Sequence, residues 1–224
     1  MIVLLFDIDG TLVNTGGAGM ASILQAMQRE FGISDPKRVN LSGRTDRGIA
    51  RELFELHEIE PSERNWNRFR QAYLHHLEQE LPQRPGKILP GVEPLLEHLA
   101  VRPRVHLGLL TGNVQAGADL KLTHYGLRHF FAFGGYGDHH PDRNDVAAQA
   151  LAASKTHLGH PVDDVWVLGD TPLDVRCARA INAKALAVAT GGHSHEELRQ
   201  SAPDLLLENF EAADAFLESL ASKA

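Results

Sequence analysis

Asp7 and Asp9 stand two apart at the end of the apolar run Ile2 to Phe6, and Gly10-Thr11 follows them. On an extended segment residues two apart project to the same side. Two carboxylates so placed repel unless they share a proton or hold a cation between them. A hard divalent ion with oxygen ligands, most simply Mg²⁺, resolves that repulsion. The plainer reading of this string is an acidic turn after a strand, with Gly10 supplying a positive φ. Two more polar clusters close apolar runs: Thr111-Gly112-Asn113 after Val105 to Leu110, and Asp170 with Asp174 after Val165 to Leu168. Each alone fits helix capping. If the three runs are parallel strands of one sheet, the clusters meet at its carboxyl edge, where such sheets bind ligands.

The elements around them have the periodicity that arrangement needs. Ile2 to Phe6 reads as a buried central strand. From Pro90 onward, helices and strands alternate: a helix over Val92, Leu95, Leu96 and Leu99, then the strand to Leu110, then a helix to Tyr125 ending at Gly126. A short strand is predicted at Phe130 to Phe133, a helix through Val146, Ala150, Leu151 and Leu158, and strands at Val165 to Leu168, Ala185 to Ala189 and Leu205 to Leu207. Strands separated by helices predict a doubly wound parallel α/β sheet. The stretch 16–87 is different, because its stripes are purely helical: Met20, Ile23, Leu24, Met27 and Phe31; Ile49, Leu53 and Leu56; Trp66, Phe69, Tyr73, Leu77 and Leu81. It is predicted to be a helical cap (16–87) inserted into a core made of 1–15 and 88–224. Gly16, Gly17 and Gly19 on one side, with Pro85 and Gly86 on the other, are the hinge candidates.

Composition narrows the function. The chain has 224 residues, 43% hydrophobic and 23% charged, which suits a globular protein with a sizeable core. A net charge of −7 without a basic block predicts no nucleic-acid or anionic-lipid partner. No apolar run approaches a membrane span. The N-terminus opens directly into a strand, without the plan of a signal peptide. The single cysteine, Cys177, reads as a buried structural thiol and fits a reducing, cytoplasmic setting.

The order of these motifs, over nearly the whole chain, resembles the haloacid dehalogenase superfamily, in its phosphoglycolate-phosphatase-like branch with a helical C1-type cap. The resemblance implies a Rossmann-like core and a Mg²⁺-dependent phosphatase acting on a small phosphorylated metabolite, phosphoglycolate being the default. It makes Asp7 the nucleophile, forming an aspartyl-phosphate, and Asp9 the general acid and then base. Thr111, Gly112 and Asn113 become the phosphate-holding motif. Asp7, the Asp9 carbonyl and Asp170 become metal ligands, with Asp174 in support. The lysine usual before the fourth strand is missing from Asp142-Arg143-Asn144-Asp145, so Arg143 is expected to serve in its place, and Lys155 is the runner-up. A sugar phosphomutase of the same superfamily is the alternative, as is a catalytically idle member binding a phosphorylated ligand or a protein. A monomer or homodimer is expected.

Three other features have two readings each. His139 and His140 could be metal ligands, but adjacent residues seldom chelate one ion together, and they read as rim residues. His193 and His195 read as helix-entry residues on the active edge. Arg44 reads either as a surface cation or as the cap residue that selects a substrate carrying a second anionic group.

Overall fold

The computed structural model describes residues 1–221; residues 222–224, the end of the expected 88–224 segment, lie outside them. Six parallel strands form one sheet in the order β5-β4-β1-β6-β7-β8. They are β1 (Ile2–Phe6), β4 (Val105–Leu110), β5 (Phe133–Gly135), β6 (Asp164–Gly169), β7 (Lys184–Val188) and β8 (Leu205–Leu207). β1 pairs with β4 on one side and with β6 on the other. This central place explains why β1 is apolar on both faces. Ile2, Leu4 and Phe6 enter one core layer, beneath α4 (Val92–Ala100) and the helix Asp214–Ala221. Val3 and Leu5 enter the other, beneath α6 (Arg143–Leu158) and α7 (Pro172–Ala180). The polar clusters following β1, β4 and β6 therefore emerge side by side.

Helices α1 (Ala18–Phe31), α2 (Asp46–Leu56) and α3 (Glu63–Glu80) form a third core of their own around Met27, Leu53, Phe54, Phe69 and Leu77. Thr45 caps α2 and Ser62 caps α3, each side-chain oxygen accepting from the backbone N–H three residues on. The segment leaves and rejoins the sheet at one point, where β2 (Val13–Asn14) pairs antiparallel with β3 (Lys87–Ile88). Within the α1 stripe, Ile23 and Met27 are buried, whereas Met20 and Leu24 are exposed.

One strand lies elsewhere than expected. Residues 128–130 form a 3₁₀ turn, and the strand is Phe133–Gly135 rather than Phe130 to Phe133. The two glycines read as loop, but here they allow close packing. A Cβ at Gly135 would run into the α6 backbone and Ala150, so glycine is the residue that lets this edge strand lie under the helix. Cys177 is buried and unbonded, with its thiol pushed up to about 12 by burial. No helix among the described residues is long and apolar enough to cross a membrane.

Candidate active site

Asp7 directly follows β1, and its N–H donates to Leu168 O at 2.9 Å, so the ladder carries it to the edge of the sheet. Its side chain is 6% exposed. Asp170 follows β6 and is equally enclosed. A Cβ at Gly10 or at Gly191 would strike the Asp170 carboxylate, so two bare backbones wall it in, while Thr11 Oγ1 donates to it at 3.2 Å. Asp174 lies in the first turn of α7, where Oδ2 accepts from Thr171 N–H (3.0 Å) and Thr171 Oγ1 (2.8 Å). The three carboxylates bring oxygen atoms within 4.8 Å of one another. Burial, and then the neighbouring carboxylates, push Asp7 and Asp170 above the usual carboxylate range.

Arg143, the first residue of α6, enters this cluster. Its Nη2 lies 2.9 Å from Asp7 Oδ1 and donates to Asp174 Oδ1 at 2.5 Å. Asp142 caps α6 and thereby fixes where the arginine starts. Lys155 is exposed near the far end of α6. Arg143 Nε is buried and has no hydrogen-bond partner among the described residues.

Asp9 is the more open of the first pair, its side chain 42% exposed. Lys121, on α5 (Gln115–His124), donates to both Asp9 oxygens at 2.8 and 2.6 Å and to Asn113 Oδ1 at 2.6 Å. Asn113 Nδ2 donates to Asp9 Oδ2 at 2.8 Å and to Thr111 Oγ1 at 2.8 Å. Sequence reasoning missed Lys121, reading it as part of an ordinary helix. The available signal was its place on the stripe of Val114, Ala118 and Leu122, all buried. A lysine at such a position needs an anionic partner.

A haloacid dehalogenase-like hydrolase profile matches residues 4–188 of this chain. The chain belongs to that family. Among relatives of this hydrolase, the "Phosphoglycolate phosphatase" of Agrobacterium fabrum is 27% identical over 223 residues, spanning 98% of this chain and 94% of its own. The "Probable phosphatase IndB" of Dickeya dadantii is 27% identical over 211 residues, spanning 93% and 90%. The fold is shared with CbbY from Rhodobacter sphaeroides, solved with phosphate, at a TM-score of 0.75 and 17% identity over 95% of this chain and 96% of that one. It is shared too with a hydrolase from Pseudomonas syringae, at a TM-score of 0.73 and 21% identity over 98% and 99%.

In this hydrolase the helical segment closes the site from above. A cavity of ≈ 260 Å³ lies between the sheet edge and the cap, bounded by Asp7, Asp9, Lys121 and Arg143 below and by Met20, Ile49 and Tyr73 above. The first residue of α2 seals its rim: Asp46 N–H donates to Gly112 O at 2.7 Å, and Asp46 Oδ2 accepts from Val114 N–H at 2.8 Å. Burial pushes Asp46 up to about 6 despite the nearby Lys121 and that N–H. Arg44 lines the cavity, but its guanidinium is held within the cap by Glu52, Asn40 O and Gly48 O. His193 Nε2 lies 3.3 Å from Ser42 Oγ of the same cap loop. His195 sits exposed beside Glu208. His139 and His140 lie in the rim loop. Among the described residues, Asp7, Asp170 and Asp174 are the group placed to hold a metal.

Proposed function

We propose that this hydrolase is a Mg²⁺-dependent phosphatase that cleaves the phosphate monoester of a small metabolite through an aspartyl-phosphate at Asp7. The observation that carries the reading is the arrangement at the edge of β1. There a buried carboxylate faces a cap-covered cavity, with Arg143 on one oxygen and two further carboxylates beside it.

The donor set suits a hard divalent ion. Its carboxylates are crowded and buried, and the raised proton affinity of Asp7 and Asp170 expresses an unmet need for positive charge. Asp7 and Asp170, with the Asp9 carbonyl, would hold the ion. Asp174 has its oxygens committed to Thr171 and Arg143, so its part is to support that group. When bound, Mg²⁺ supplies charge neutralisation to the phosphoryl oxygens.

The chain's own residues do the rest. An Asp7 oxygen attacks phosphorus, the ester P–O bond breaks, and the departing alkoxide takes a proton from Asp9. Water then attacks the acyl-phosphate, gives its proton back to Asp9, and releases inorganic phosphate and the Asp7 carboxylate. Lys121 and Asn113 fix the direction of Asp9 in both steps. Arg143 holds Asp7 in place, and its unpartnered Nε is a donor suited to an anionic oxygen. The cap excludes water from the first step.

A panel of small phosphate esters, assayed with and without Mg²⁺ on wild type and Asp7→Asn, tests this. Turnover should require the metal and fall on the order of 10³-fold or more in the variant. Acid quenching should trap phosphate on wild type alone. Equal hydrolysis by the two proteins would overturn the reading.

A further inference from the structure

Charge on the cap side of the cavity indicates what the leaving group must be. Three cationic side chains line the cavity, and each is committed to carboxylate. Arg143 is bound to Asp7 and Asp174, Lys121 to Asp9, and Arg44 to Glu52. Asp46, on the cap side, has no ion-pair partner among the described residues, and one of its oxygens already accepts from Val114 N–H. Around it the cap lines the cavity with Ser42, whose Oγ lies 3.3 Å from His193 Nε2, with Tyr73, and with the apolar side chains of Met20, Ile23, Leu41 and Ile49. A substrate whose phosphate sits at Asp7 must place its alcohol portion against this wall. A second anion there would meet a carboxylate with no uncommitted cation to offset it. A hydroxyl or an ammonium would find an acceptor.

We propose that the cap selects phosphate monoesters whose alcohol portion carries a hydrogen-bond donor and no second anion, with Asp46 as the acceptor that reads it. The proposal rests on the phosphatase reading and sets a substrate class for the same site. It differs from the phosphoglycolate default and from Arg44 as selector, because phosphoglycolate ends in a carboxylate and Arg44 is already paired.

Three esters of matched length test it with the full-length enzyme and Mg²⁺: 2-hydroxyethyl phosphate, 2-aminoethyl phosphate and phosphoglycolate, with p-nitrophenyl phosphate as a reference. The hydroxy and amino esters should each exceed phosphoglycolate at least tenfold in kcat/KM. The ranking between those two tells whether the preferred donor is neutral or cationic. Asp46→Asn keeps an oxygen for Val114 N–H, and should narrow the tenfold gap to about threefold or less. Glu52→Gln releases Arg44 and should raise kcat/KM for phosphoglycolate without the same gain for the hydroxy ester. This second variant and the wild-type ranking stand even if Asp46→Asn fails to fold. A wild type that prefers phosphoglycolate overturns the proposal, and loss of that preference in Arg44→Gln would assign selection to Arg44. A gap that survives in Asp46→Asn overturns it as well. Failure to cleave any ester, p-nitrophenyl phosphate included, removes the phosphatase reading itself, a result distinct from a reversed ranking.

Discussion

At the residue scale the site is organised by two buried cations with separate duties. Arg143 spans Asp7 and Asp174 with one nitrogen, and all three groups are enclosed. Removing one partner of such a group leaves like charges together in low dielectric. Arg143→Ala should therefore cost about 3–5 kcal/mol in metal-free urea unfolding, whereas Arg143→Lys keeps the charge and should cost markedly less. Lys121 grips both oxygens of Asp9. Lys121→Met should lower kcat roughly 10- to 100-fold, by analogy with residues that orient a catalytic ligand, while far-ultraviolet circular dichroism stays unchanged. Steady-state kinetics on the folded variant checks this. Arg143 could be named from the sequence because a motif specified the place of a cation and only one basic residue stood nearby. For Lys121 the stripe of Val114, Ala118 and Leu122 signals an inward-facing side chain, but not its partner, since Asp9 is 112 positions away in the sequence.

At the element scale, the cap and the turn after β4 are stitched together. The backbone N–H of Asp46 and the carbonyl of Gly112 form one bond, and the Asp46 side chain takes up Val114 N–H just before α5. Gly112 has no Cβ where the Arg44 carbonyl passes, and an added methyl would overlap it. Gly112→Ala should hold the cap away from the sheet. We expect at least a tenfold loss of kcat/KM, with little change in melting temperature and faster proteolysis within residues 38–45. Unchanged proteolysis together with full activity would contradict this account of closure. The succession of helices and strands was legible because each core layer needs its own periodicity. The place of β5 was not, because its glycines answer to the approach of α6, which is a tertiary demand.

At the scale of the whole molecule, the buried acids tie stability to pH. Burial holds Asp7 and Asp46 at about 6, against an ordinary value of 3.8, and raises Asp170 as well. The folded state therefore binds more protons than the unfolded chain between about pH 4 and 6. The cost of these groups is fully present above that window and is relieved as pH falls through it. Metal-free protein should melt at a higher temperature at pH 5.5 than at pH 8. Mg²⁺ competes with protons for the same oxygens, so its stabilising effect should be larger at pH 8. Thermal melts with EDTA and with Mg²⁺ at both pH values check the two signs together.

The two-residue ribbon between Asn14 and Lys87 has a further consequence. The chain departs from the sheet and returns to it at neighbouring points, so the helical lid is attached the way a plug-in module is attached to a socket. The socket is closed by Val13–Ile88 pairing whatever lies between, and Gly86 sits where any side chain would collide with the Asn14 carbonyl and the Tyr125 hydroxyl. If the cap selects the substrate as proposed, substitutions within 16–86 would change which alcohol is admitted while the carboxylates beneath stay registered to their strands.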